Sequence, residues 1–211
     1  LRKWGTPGSG NGELNKPAGM VITPDGAILL VDSGNHRIQK FTLDGQYVSQ
    51  FGSSGDGPGQ FNLPWGIALD REGLIYVADW RNDRIQKFAG DGRFLARFGE
   101  SGHGDAQLNR PSSLAVDAQG RIYVADWGNE RVQVLDPQGE FVIELRGQAT
   151  LSKWAENFLS VNREEAEARA RADLEKDIEY FVDDPHEESS HTEKRFWSPV
   201  SVKLDKAGRL L

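Results

Sequence analysis

The chain has 211 residues, 37% hydrophobic and 27% charged, with a formal net charge of −7. That is the balance of a globular chain with room for one or two domains. The absence of cysteine excludes disulfides and thiolate metal sites, and no run approaches the roughly 18 apolar residues of a membrane-spanning helix.

The first phrase met, Lys3-Trp4-Gly5, has two later echoes, Gln50-Phe51-Gly52 and Arg97-Phe98-Gly99. Pro17, Pro64 and Pro111 recur at intervals of 47 residues, each within a matching phrase: Leu14-Asn15-Lys16-Pro17, Phe61-Asn62-Leu63-Pro64 and Leu108-Asn109-Arg110-Pro111. Three copies therefore run without gaps over about 6–52, 53–99 and 100–146, preceded by the end of another. The second copy holds short runs over Trp65–Leu69, Leu74–Ala78, Arg84–Phe88 and Arg93–Phe98. They are rich in Val, Ile, Tyr and Phe and separated by Asp, Asn and Gly turns, which predicts an antiparallel meander. Gly66–Leu69 and Ile75–Ala78 are nearly continuously apolar, as strands covered on both faces are. Four strands repeated in this way predict radial blades, each covering the next.

After the third copy the period breaks. The next matching phrase, Phe196-Trp197-Ser198-Pro199, arrives 41 residues late. The intervening Leu151–Leu159 reads as a short helix. A second helix runs from Arg163 to about Phe181, with Asn162 as N-cap and Glu164 and Glu165 in its first turn. Leu174, Ile178 and Phe181 mark one apolar edge, and Asp183-Asp184-Pro185 stops the helix. Residues 151–195 carry 13 acidic and 7 basic side chains, so nearly all of the net charge sits there. Two readings stay open: a solvated helical hairpin packed on the blades, or a lid or docking arm over a channel mouth. The domain reading is blades over 1–147, an acidic helical insertion over 148–195, and the start of a fourth blade over 196–211. The strand-like phrase near Leu211 and the non-Met first residue, Leu1, lead us to expect a piece of a longer chain.

The phrases Gly59–Asp70, Gly73–Asp79 and Asn82–Phe88 resemble the NHL repeat. The likeness covers about 1–146 and 196–211. It implies an all-β fold, a β-propeller of four-stranded blades forming part of a six-bladed ring, here with a helical insertion. It also implies that the first strand of each copy lines a central channel. One face would then gather loops 6–16, 53–63 and 100–110 with the turns Asp32–His36, Asp79–Asp83 and Asp126–Glu130, and the whole insertion. Fold alone assigns no function.

The recurring Asp32, Asp79 and Asp126, with Asn35, Asn82, Asn129 and Arg37, Arg84, Arg131, are read as turn-holding residues, because a group needed once for chemistry need not appear three times. Asp70, Asp117 and Asp205 are read as turn residues too. Non-repeating choices on a repeating frame are the candidates for function. Trp80 and Trp127 stand where the first copy has Ser33, and Trp65 stands where the others have Ala18, Ser112 and Val200. With Arg81 and His36 they form a candidate ligand or partner face; packing between blades is the competing reading. The function this supports is a binding or scaffold module for a protein or a small-molecule ligand, with no catalytic residues and no cofactor. The alternative is a propeller hydrolase or lyase, lactonase-like or amidating-lyase-like, with zinc or calcium in the channel. His36, His103, His186 and His191 lack short ligand spacing. A sensor domain of a larger receptor is a third possibility. Near-neutral blades and an acidic insertion argue against nucleic acid.

Overall fold

The computed structural model describes residues 4–146, 160–162, 167, 199–205 and 208–210. The chain divides into two compact units, Leu1–Leu145 with Ser198–Leu211, and Arg146–Trp197. Of the helices expected over 151–159 and 163–181, all but Glu167 lies outside the described residues, and Glu167 is helical.

In the first unit each copy becomes one four-stranded antiparallel sheet, its strands in chain order. Blade one holds β1 (Pro17–Ile22), β2 (Ile28–Asp32), β3 (Arg37–Phe41) and β4 (Tyr47–Phe51). Blade two holds β5 (Pro64–Leu69), β6 (Ile75–Asp79), β7 (Arg84–Phe88) and β8 (Phe94–Phe98). Blade three holds β9 (Pro111–Val116), β10 (Ile122–Asp126), β11 (Arg131–Leu135) and β12 (Phe141–Leu145). In blade two these bounds differ by at most one residue from those expected from the sequence. Three complete blades are present among the described residues, not six, and no α-helix interrupts residues 4–146. The Asp-x-x-Asn turns between second and third strands are single 3₁₀ turns, Ser33–Asn35, Trp80–Asn82 and Trp127–Asn129.

The core lies between blades. Leu29, Val31 and Ile38 of blade one meet Phe61, Ile75, Val77 and Phe88 of copy two. The alternate residues of the same strand, Tyr76 and Ala78, turn the other way and meet Leu114, Ile122, Val124 and Leu135 of blade three. Every residue of β6 is buried, which is why its sequence lacks polar alternation. Burying each large apolar side chain here contributes about 1.5–3 kcal/mol. The aromatic contacts repeat with the period: Trp4 lies 4.8 Å from Phe41 as Phe51 lies 5.1 Å from Phe88. Val202 is 3% exposed and packs on Ala115, Ala125 and Val132. Ser112 Oγ donates to the Pro199 carbonyl at 2.7 Å, so residues 199–205 run beside β9.

The first strands come closest. A Cβ on Gly66 would sit 2.7 Å from Ser113 Cα, and one on Gly19 would sit 2.7 Å from the Trp65 carbonyl oxygen. Glycine is required there because the neighbouring backbone cannot give way. These strands wall a groove of about 790 Å³, lined among others by Met20, Ile22, Ile67, Leu114 and Val200. Met20 and Val200 are 60% and 69% exposed.

Candidate functional site

The loops of the candidate face are held by one buried latch per blade. In blade two, Asp79 pairs opposite Arg84 across the β6–β7 ladder. Asp79 Oδ1 accepts the Asn62 N–H at 2.7 Å. Its Oδ2 accepts from Asn82 Nδ2 at 2.9 Å, Arg84 Nε at 2.8 Å and Gln86 Nε2 at 3.2 Å. Arg84 then donates to the carbonyls of Asp56, Gly57 and Gln60 at 2.5, 3.0 and 2.9 Å. The loop 53–63 is thus bound to its own blade through one fully buried carboxylate. Asp32 and Asp126 do the same with Arg37 and Arg131. Burial lifts the Asp79 and Asp126 carboxyls above the usual range, against the pull of these donors. A buried ion is tolerable only when its lone pairs are satisfied in this way. The conserved geometry in all three blades matches the structural role read for the Asp, Asn and Arg set. Gln39, Gln86 and Gln133 complete each latch and were not singled out from the sequence. Each also accepts a loop N–H, from Gly12, Gly59 and Ala106.

Asp70 and Asp117 hold the opposite turns. Asp117 Oδ1 accepts the N–H groups of Gln119 and Arg121, both at 2.9 Å, and its Oδ2 pairs with Arg121 Nε at 2.6 Å. Burial pushes the Asp117 carboxyl up, but these hydrogen bonds outweigh it and leave the pKa below the ordinary value.

A second set of links joins successive blades. The residue after each Asp-x-x-Asn turn is left-handed: His36, Asp83 and Glu130, with φ of 55°, 50° and 54°. His36 Nδ1 accepts the Leu63 N–H at 3.1 Å, and Asp83 Oδ1 accepts the Arg110 N–H at 2.7 Å. The third position holds Glu130, whose carboxylate is buried and has no hydrogen-bond partner among the described residues. By period its donor would be Ser198, outside the described residues. His36 is therefore committed to the backbone that precedes Pro64 and Trp65.

The other named candidates gather into a strip at the join of blades two and three. Trp65 lies 5.5 Å from Trp80, and Trp80 lies 6.4 Å from Trp127 in an edge-on arrangement. The Arg81 guanidinium stands 5.6 Å from the Trp80 ring. Arg110, which the sequence reading passed over, stands 5.6 Å from Trp80 and 5.8 Å from Trp127. Trp65 is 46% exposed, Arg81 and Arg110 are exposed, and Trp80 and Trp127 are half-buried. Each guanidinium is within cation–π range.

Position 81 departs from its sisters. Gly34 and Gly128 have no room for a Cβ, which would sit 2.6 Å from Asn15 and 2.5 Å from Asn109. Their N–H groups bond to the carbonyls of Asn15 and Asn109 at 2.9 and 2.8 Å, whereas Arg81 N–H reaches Asn62 at 3.1 Å. Blade two loosens the turn slightly and presents an arginine. Arg110 had a comparable signal, since Lys16 and Leu63 occupy its place in the other copies. Among the described residues, no group of three or more His, Asp and Glu is placed to hold a metal.

The NHL repeat family model matches residues 14–41, 61–88 and 108–135. Protein lin-41 of Caenorhabditis elegans is 42% identical over 47 residues, 22% of this chain and 4% of that protein. The human E3 ubiquitin-protein ligase TRIM32 is 44% identical over 45 residues, 21% of this chain and 7% of that protein. The chain thus matches only a small part of either relative. Among solved structures, Kuenenia stuttgartiensis hydrazine synthase aligns with a TM-score of 0.56 at 14% identity, covering 93% of this chain and 41% of that one. At that identity the likeness shows the fold alone.

Proposed function

We propose that this chain, a run of NHL-repeat propeller blades, acts as a binding module that captures a protein or small ligand through its loop-bearing face. The observation that carries this is the Trp65–Trp80–Trp127 strip with Arg81 and Arg110. It is built from the positions where the copies differ, while the latch beneath it is built from the positions where they agree. Partly exposed tryptophan and arginine on a rigid frame are the side chains that dominate binding surfaces. The match to part of an E3 ubiquitin-protein ligase, an enzyme that acts on proteins, favours a protein partner. On this reading the blades are part of a six-bladed ring and residues 148–195 form a helical insertion in it.

The test follows the indole N–H signals of Trp65, Trp80 and Trp127 by NMR while peptide and small-ligand libraries are added. The three should move together on binding, and Trp80→Ala and Trp127→Ala should weaken capture while leaving the melting temperature nearly unchanged. Equal thermal losses in both variants, with binding signals elsewhere, would refute it. One zinc or calcium ion bound per full-length chain would instead favour a channel enzyme.

A further inference from the structure

The strip has a chemistry beyond apolar contact. Arg81 and Arg110 hold their guanidinium carbons 5.6–5.8 Å from indole ring centres, and neither has a carboxylate partner among the described residues. Arg37, Arg84, Arg121, Arg131 and Arg209 each pair with an aspartate instead; Arg71, Arg93 and Arg97 also lack such a pair among the described residues, but none of these three stands over an indole ring there. An arginine held by an aromatic ring keeps its N–H edge free and loses some of its freedom, which prepares it to fork onto a carboxylate. The backbone of Arg110 is fixed as well, because its N–H is bonded to Asp83 Oδ1 at 2.7 Å.

The surroundings limit how much negative charge can enter. Asp83 lies against this join, where its Oδ2 accepts from Ser101 Oγ at 2.7 Å. Asp56, Glu100 and Asp105 line the adjoining hollow of about 480 Å³ between blades two and three. Nucleic-acid backbones need several phosphates neutralised at once. Arg81, Arg110 and the hollow-lining Arg97 stand beside four carboxylates and do not supply that, but the first two suit one or two carboxylates on a chain that is otherwise neutral.

Building on the binding-module reading, we propose that the strip recognises a short acidic peptide segment, with Asp or Glu carboxylates on Arg110 and Arg81 and an adjacent apolar side chain over Trp65. The aromatic surface supplies contact area, and the guanidinium edges supply the selection for acid.

The test uses a displayed 12-residue peptide library panned against the whole chain. A selected peptide and its Glu→Gln, Asp→Asn counterpart are then titrated by fluorescence anisotropy. Enrichment of peptides combining acidic and apolar residues is expected. Amide substitution, or Arg81→Gln with Arg110→Gln, should weaken binding about tenfold or more, the scale of hydrogen bonds to charged groups. Both arginines are exposed, so the double variant should melt with the parent. Three outcomes overturn the proposal. If selected peptides lose affinity in Trp80→Ala but keep it in the arginine variant, the binding strip stands and acidic selection falls. If neither variant matters, both readings fall. If a single-stranded oligouridine displaces the peptide and binds more tightly through the same arginines, the occupant is nucleic acid.

Discussion

Arg84→Ala tests whether the buried latch, and not blade packing alone, holds the loop face in place. Its side chain is 6% exposed and joins the Asp79 carboxylate to three loop carbonyls. Truncation leaves Asp79 buried with its remaining donors from Asn62, Asn82 and Gln86, and strips the loop of its cation. Breaking one side of a buried ion pair costs about 3–5 kcal/mol, a large share of the 5–15 kcal/mol typical of a domain. At roughly 2–4 °C per kcal/mol for a unit of this size, the melting temperature should fall by about 6–20 °C. Urea unfolding followed by tryptophan fluorescence gives the free energy, and hydrogen exchange across residues 55–61 locates it. Arg81→Ala, three residues earlier and exposed, is the control and should stay within about 0.5 kcal/mol. Arg84→Lys should recover only part of the loss, since one ammonium cannot span four acceptors. If Arg84→Ala and Arg81→Ala melt together, the latch is not what orders the loops.

Gly66→Ala drives a Cβ to 2.7 Å from Ser113 Cα, where only backbone can move, so chemical denaturation should show a loss of about 1–3 kcal/mol. His36→Asp should be nearly neutral in thermal melts, because Asp83 already performs that function one blade later. His36→Ala should cost about 1–3 kcal/mol, as the Leu63 N–H loses its acceptor. The depressed Asp117 carboxyl gives stability that is fully present above the unfolded value of about 3.9 and is lost as pH falls through the lower folded value. Melts of Asp117→Asn and the parent should therefore differ by no more than about 1 kcal/mol at neutral pH and converge in acid. Divergence on acidification would refute that assignment.

The blades were legible because Pro17, Pro64 and Pro111 fix a period and β2, β6 and β10 are too apolar to have a wet face. The turn-holding role of Asp79 and Arg84 followed from recurrence alone. Gln86 was missed because a polar residue within a strand looks like ordinary alternation, and its partner carbonyl at Gln60 lies 26 residues away. The paired segments Ser53–Ser54 and Gln60–Phe61 are too short to leave a hydrophobic pattern. Trp65, Trp80 and Trp127 stood out as departures from the repeat, with Arg81 beside them, but only three-dimensional proximity brings Arg110 of the next copy over Trp80 and Trp127.

Each latch is encoded within a single 47-residue stretch, carboxylate, cation and captured loop together. A duplication of that stretch of gene would therefore deliver a blade already able to close its own loop, with no matching change required elsewhere. Afterwards residues outside the latch, such as those at 18, 65 and 112 or at 16, 63 and 110, would be free to drift apart. New recognition could in this way arise by mutation of a copy whose folding was inherited intact.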